Sequence, residues 1–208
     1  MNKKLKIKIC GILQPQNIKG VDALNPDYIG FIFYPPSPRN MDKNPDAIPE
    51  TQAKKVGVFV DSDIESIIKK ATTFKLSTIQ LHGSESPDIC STLTNLGYEV
   101  FKAFRVDNNT KVQEIEVYAG TCSAFLFDTK TNMHGGSGKK FDWKKLDELA
   151  YINSFFISGG IGANDAEAIL KLNYKNLIGL DLNSQFEIEP GLKNISMLQK
   201  FLKNVKNY

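Results

Sequence analysis

The chain is predicted to fold as a single-domain (β/α)8 barrel, the TIM-barrel architecture, and three observations carry that prediction. Eight short apolar runs recur at regular intervals along its 208 residues. Segments with helical spacing separate most of them. No linker-like or low-complexity stretch interrupts the alternation. Strand then helix, repeated, requires parallel pairing with right-handed crossovers, and eight such units close on themselves. The length is near the lower limit of that fold, roughly 200 residues, so residues 1–208 leave little room for a second domain.

The runs lie at 5–10, 28–33, 55–60, 78–81, 100–104, 124–127, 155–158 and 177–182. Most are rich in Val, Ile and Phe, as buried strands are. A helix is expected at 63–74, opening at Ser62 or Asp63, with Ile64, Ile67, Ile68 and Ala71 on one face. Another is expected at 87–96, where Ser86 is a good N-cap, Pro87 suits the first helical position and Gly97 follows the end. Helices at 143–149, 165–172 and 195–205 follow the same logic, with Asp142 and Asn164 preceding the first two. Segments 14–24 and 110–117 carry weaker helical patterns. Segment 40–53 contains Pro45 and Pro49, so any helix there is short or broken.

Bulk composition excludes several function classes. A net charge of +3, with scattered lysines and no basic run, gives no reason to expect nucleic acid as a partner. The three cysteines are widely spaced and form no metal pattern, and the odd count leaves at least one thiol free, as in a reducing cytosol. Lys6 and Lys8 interrupt the apolar run that a signal peptide needs. No stretch approaches the ~20 apolar residues of a membrane span. The expectation is a soluble cytoplasmic protein with no membrane partner.

In such barrels the active site lies at the C-terminal ends of the strands, so residues there become candidates. Lys8-Ile9-Cys10-Gly11 ends the first run. Alternation puts Lys8 and Cys10 on one face and Ile7 and Ile9 on the other. Lys8 then points inward beneath Cys10, where an ammonium favours the thiolate that can take a proton. The alternative is that Cys10 is a small buried apolar residue; Cys90 and Cys122 are read that way. Asp128 ends Leu126-Phe127-Asp128-Thr129. A carboxyl half-buried among phenylalanines could keep its proton and serve as a general acid, or it could be a turn residue.

Ser158-Gly159-Gly160-Ile161-Gly162 and Asp181-Leu182-Asn183-Ser184 follow the seventh and eighth strands, where barrels bind phosphate on backbone N–H groups. Gly135-Gly136-Ser137-Gly138 forms a third glycine loop that could close over the site. Arg39, just after the second strand, can hold a carboxylate or stand in solvent. Gln80 and His82 share a face of the fourth strand, and His82 is read as a wall residue without a proton-transfer role. Lys102 and Arg105 end the fifth strand; a Schiff-base role for Lys102 has no other support. His134 carries no expected chemistry.

Taken together and in order, these segments resemble the phosphoribosylanthranilate isomerase family of tryptophan biosynthesis. The resemblance rests on Lys-Ile-Cys-Gly at 8–11, Gly-Phe-Ile-Phe at 30–33, Ser-Pro-Arg at 37–39 and Val-Gly-Val-Phe at 56–59. It continues through Ile-Gln-Leu-His-Gly at 79–83, Lys-Ala-Phe-Arg-Val at 102–106 and Leu-Phe-Asp-Thr at 126–129. Gly-Gly-Ser-Gly-Lys at 135–139 and Phe-Asp-Trp at 141–143 follow. Ser-Gly-Gly-Ile at 158–161, Leu-Asp-Leu-Asn-Ser at 180–184 and Pro-Gly-Leu-Lys at 190–193 complete it. The match covers nearly the whole chain.

The resemblance implies an Amadori rearrangement of N-(5′-phosphoribosyl)anthranilate, with Asp128 as general acid and Cys10 as general base. It implies that Arg39 holds the substrate carboxylate and that Gly159, Gly160, Asn183, Ser184 and Gly136 hold the phosphate. Lys8, Gln80, His82, Arg105 and Asp181 complete the site wall. No metal or cofactor is implied, and the partner is a small phosphoribosyl substrate acting on a monomer or homodimer. Two positions depart from the family pattern. Gln185 stands where a glycine is usual, which costs strain if the turn needs positive φ, and Lys140 replaces a threonine. The histidine-pathway isomerase barrel is a rival, but it uses aspartate where Cys10 stands. Indole-glycerol-phosphate synthase would not need the thiol. A non-catalytic phosphosugar-binding barrel would need neither Cys10 nor Asp128.

Overall fold

The computed structural model describes residues 5–43, 48–107, 109–129 and 146–206. Eight parallel strands close a barrel in sequence order, with β8 returning to β1. They are β1 (Lys6–Cys10), β2 (Tyr28–Phe33), β3 (Lys54–Phe59), β4 (Thr78–Leu81), β5 (Glu99–Val106), β6 (Ala124–Thr129), β7 (Phe155–Ser158) and β8 (Leu177–Leu182). All eight expected strands are present. The largest differences are in β5 and β6, which run past the expected ends, so Arg105 and Asp128 lie within strands and in register with each other.

The connecting helices are α1 (Pro15–Asp22), α2 (Ile64–Thr73), α3 (Pro87–Asn95), α4 (Val112–Glu116), α5 (Leu146–Leu149), α6 (Ala166–Leu170) and α7 (Ile195–Lys206). Asp63 caps α2 by accepting from the Ser66 N–H at 2.7 Å, and Ser86 caps α3. Between β2 and β3 the described residues carry only a 3-10 turn, Met41–Lys43, in keeping with the prolines of that segment. Helix α6 is shorter than expected at both ends. Its Asp165 carboxylate turns back to accept from Gly162 N–H at 2.8 Å and so braces the glycine loop after β7. One element was not foreseen. After β8 the chain forms a 3-10 turn (Ser184–Phe186) and a small antiparallel hairpin, β9 (Glu187–Glu189) with β10 (Leu192–Lys193).

Strand alternation divides the chain into two cores. Outward residues such as Ile7, Ile9, Ile29, Phe31, Phe127 and Leu180 pack under the helices. Inward residues fill the barrel, with Tyr28, Phe101 and Phe156 as its aromatic centre. Their ring centroids stand 5.1–5.9 Å apart, a range in which edge-on and tilted pairs are favourable. Above this plug the interior turns polar, beginning with Lys8 and Asp181. The barrel therefore has an apolar middle and a charged upper part.

The fit is tight at Gly179, which faces Phe156. A Cβ there would lie 2.6 Å from the Lys6 carbonyl oxygen and against the Phe156 ring. Gly179→Ala is expected to lower stability by roughly 1–3 kcal/mol through overpacking, measured as a lower urea midpoint at unchanged slope.

Candidate active site

A cavity of about 560 Å³ opens at the C-terminal ends of the strands. Cys10, Arg39, Gln80, His82, Arg105, Asp128, Gly159, Gly160, Asp181, Asn183 and Ser184 all line it. Lys8 does not reach the cavity; it lies beneath Cys10, fully buried. Gly136, with the third glycine loop, His134 and Lys140, lies outside the described residues.

Cys10 ends β1 and is 3% exposed. Its sulfur has room because β2 carries Gly30 directly opposite, where a Cβ would come within 2.6 Å of it. Beneath it, Lys8 Nζ donates to Asp181 Oδ1 at 2.9 Å across the seam between β1 and β8. Burial acts against the Lys8 ammonium, but Asp181 and Cys10 together hold its pKa above the ordinary value. Lys8 favours the thiolate, as expected, but burial outweighs it. Burial pushes the Cys10 thiol up; Lys8 and Lys193 pull it down, Asp181 opposes them, and the net shift is upward. Asp181 acts on the sulfur in the sense opposite to the ammonium.

Arg39 is placed by the turn after β2, where its N–H donates to Ser37 Oγ at 3.1 Å. Its guanidinium does not stand free. Nε donates to both Glu187 oxygens, at 2.9 and 3.1 Å, and Nη2 reaches Oε2 as well. Glu187 also accepts from Lys193 Nζ at 2.7 Å, and Lys193 donates to Asn183 Oδ1 at 2.7 Å. Gly11, at φ +75°, lets this network close: a Cβ there would lie 2.7 Å from Arg39 Cδ and 3.1 Å from Asn183 Oδ1. Burial alone would raise the Glu187 carboxyl, yet hydrogen bonds from Arg39 and Lys193 bring it down to about 2. Sequence reasoning missed Glu187 altogether, and it quoted Lys193 only as part of a motif. The one available signal was that motif's lysine; the acid sits in a polar stretch resembling any loop.

Asp128 projects inward from β6 on the same face as Ala124 and Leu126. Its Oδ2 lies 3.4 Å from His82 Nε2, with side chains 31% and 20% exposed respectively. His82 is thus in contact with the candidate acid, which goes further than the wall role expected of it. Lys102 is tied to Glu85 at 3.1 Å and to the Gly83 carbonyl at 2.7 Å, buried away from the cavity. Cys90 and Cys122 are free thiols in the buried core.

Gly159 and Gly160 both have positive φ, 82° and 65°. Consecutive residues of this kind turn the backbone as only glycine does without strain. Gln185 is not among the non-glycine residues of positive φ; it lies in the 3-10 turn, so the strain anticipated there is absent. Among the described residues no cluster of His, Cys, Asp and Glu could hold a metal ion, and no helix is long and apolar enough to cross a membrane.

A closed eight-stranded parallel barrel with a polar cavity at its strand ends defines the class of (β/α)8-barrel proteins. Comparison with known proteins narrows this. Residues 7–204 match the family model described as N-(5′-phosphoribosyl)anthranilate (PRA) isomerase. N-(5′-phosphoribosyl)anthranilate isomerase of Parabacteroides distasonis is 45% identical over 204 residues, covering 96% of this chain and 92% of the relative. A structure of the dimeric phosphoribosylanthranilate isomerase of Thermotoga maritima, solved as generated monomers, superposes with a TM-score of 0.84 at 28% identity, covering 98% and 100% of the two chains. A phosphoribosylanthranilate isomerase in complex with reduced 1-(o-carboxyphenylamino)-1-deoxyribulose 5-phosphate gives 0.82 at 26% identity, with 98% and 100% coverage. The chain belongs to the N-(5′-phosphoribosyl)anthranilate isomerase family.

Two expectations follow from the site's packing and charge. Gly30→Ala should displace the Cys10 sulfur and cost roughly 1–3 kcal/mol, read as a lower urea midpoint. The Glu187 pKa is depressed in the folded state, so its contribution to stability is present above the ordinary value of 4.5 and is lost as pH falls through about 2. The stability gap between wild type and Glu187→Gln should therefore be widest near neutrality and close between pH 4.5 and 2, as followed by thermal denaturation across that range.

Proposed function

We propose that this chain isomerises N-(5′-phosphoribosyl)anthranilate to 1-(2-carboxyphenylamino)-1-deoxyribulose 5-phosphate, an aldose-to-ketose rearrangement in tryptophan biosynthesis. The observation that carries this reading is the meeting of Cys10 and Asp128 on different walls of one cavity. By the short way round the barrel, β7 and β8 separate them. Arg39 and the glycine-lined wall after β7 and β8 border the same cavity.

In this reading Asp128 gives its proton to the ribose ring oxygen. The C1′–O bond breaks, and the anthranilate nitrogen lone pair forms the C1′=N bond. The resulting iminium withdraws electrons from C2′ and makes its hydrogen acidic. Cys10 takes that proton, the C–H electron pair becomes the C1′=C2′ bond, and the C1′=N π pair returns to nitrogen to give an enolamine. Tautomerisation to the ketone completes the product. Burial makes the thiolate scarce, but the same high pKa makes it a stronger base once formed, and Lys8 and Lys193 supply the charge that stabilises it. No step calls for a metal or redox cofactor.

Arg39 holds the substrate carboxylate. Glu187 occupies its Nε–Nη2 edge, so the carboxylate meets the guanidinium through its other, Nη1–Nη2 edge. Two parallel N–H···O bonds remain possible there. Lys193 and Glu187 keep the fork in that orientation. Gly159, Gly160, Asn183 and Ser184 surround the phosphate. Gln80, His82, Arg105 and Asp181 line the space between. All these groups come from one chain, so monomer and homodimer are both compatible with the reaction. Three free thiols suit the reducing cytoplasm.

The test is loss of anthranilate-type fluorescence when substrate made in situ meets the purified protein with EDTA present. Wild type is expected to decay well above the uncatalysed rate. Cys10→Ser and Asp128→Asn are each expected to lose about 10²–10⁴-fold in kcat while still binding a reduced product analogue. A normal rate in either variant removes that residue's role. Arg39→Met is expected to raise KM far more than it lowers kcat; the reverse pattern would move the carboxylate site elsewhere.

A further inference from the structure

Gln80 and His82 stand two residues apart at the end of β4 and therefore on one face. Gln80 is buried, and its Nε2 lies 2.8 Å from His82 Nδ1. An amide nitrogen only donates, so with the amide in this orientation Nδ1 is the acceptor and the imidazole carries its proton on Nε2. That Nε2 in turn faces Asp128 Oδ2 at 3.4 Å. The arrangement has a cost. Gln80 Oε1 is the one buried side-chain nitrogen or oxygen among the described residues with no hydrogen-bond partner, and such an orphan in a native site calls for a reason.

Turning the amide over supplies the reason. Oε1 would then accept from Nδ1–H, and Nε2 of the imidazole would be bare. A bare nitrogen facing Asp128 would accept the carboxyl proton and draw it away from the substrate. With the proton on Nε2, the imidazole instead approaches Oδ2 through its N–H, at 3.4 Å, and leaves the acid proton to Oδ1. After that proton has been given up, the same N–H stabilises the carboxylate.

We propose that Gln80 is a positioning residue for the reaction: its amide holds His82 as the Nε2–H tautomer and thereby keeps the proton of Asp128 aimed at the substrate. The inference rests on the acid role of Asp128. His82 touches the acid and Gln80 acts only through His82.

The chain contains two histidines, His82 and His134, which makes nitrogen-15 NMR of the rings direct. His134→Gln assigns the spectrum by difference, and kinetics are run without that change. Wild type should show His82 protonated on Nε2 alone. In Gln80→Glu the new carboxylate demands a proton on Nδ1. Nε2 is then either bare, and withdraws the Asp128 proton, or also protonated, and fixes Asp128 as a carboxylate. Both outcomes disarm the acid, so kcat should fall by about tenfold or more with KM unchanged. Gln80→Met, which removes the polar group at similar volume, should lose the single tautomer and lower kcat by a smaller factor.

A wild-type His82 protonated on Nδ1 would overturn the proposal. So would a Gln80→Glu protein with Nδ1 protonated and wild-type kcat. If Gln80→Glu does not fold, Gln80→Met decides, and wild-type kcat in it is again contrary. Asp128→Asn separates the two levels. If that variant keeps its rate, the acid reading itself fails; if it is inactive while Gln80→Glu turns over normally, only the role of Gln80 is lost.

Discussion

Closure of the barrel sets Lys8 of the first strand beside Asp181 of the last, and the ion pair between them supports the rest of the site. The two side chains meet at 2.9 Å in a fully buried setting. Such a pair is not a large net source of stability, because both charges have left water. Removing one partner, however, leaves the other buried and uncompensated, so both are held in place. The pair therefore fixes the β1–β8 register at the level where the barrel interior changes from apolar to polar. Cys10 stands one step above it, with Gly30 making room on the other side.

A second charged network stands above the first and is organised by the hairpin after β8. Glu187 joins Arg39 to Lys193, and Lys193 reaches Asn183. Asn17 of α1 clasps the hairpin edge through both the N–H and the carbonyl of Lys193. The N-terminal and C-terminal parts of the chain thus meet twice, once in the barrel wall and once over its rim. The guanidinium that borders the cavity is held by residues nearly 150 positions away. This explains why a loop arginine presents a defined edge to the cavity.

The two candidate proton carriers sit in opposite settings. Cys10 is buried, and burial outweighs the neighbouring ammonium groups, so its thiol is pushed up. Asp128 is partly open to solvent and touches an imidazole. In the proposed mechanism a buried thiol and an accessible carboxyl divide the work of base and acid by environment rather than by chemistry alone. The amide of Gln80, two residues before the imidazole, links the β4 wall to the acid.

The local patterns of the sequence determined a good deal by themselves. Eight β-rich runs and the alternation of Lys8 with Cys10 were enough for the barrel and for the inward-facing thiol, because strand periodicity is a local property. Strand-end placement singled out Asp128 and the loops after β7 and β8 for the same reason. The order of motifs along the chain identified the family. The tertiary structure alone decided the partners of those groups. That Lys8 is answered by Asp181, that Arg39 is held by Glu187, and that His82 reaches Asp128 are contacts between distant strands. The 187–193 hairpin was not legible because its strands are too short to show a period. Lys8 favours the thiolate, but the net shift of the thiol is set by burial, and burial is a property of the closed barrel rather than of any segment.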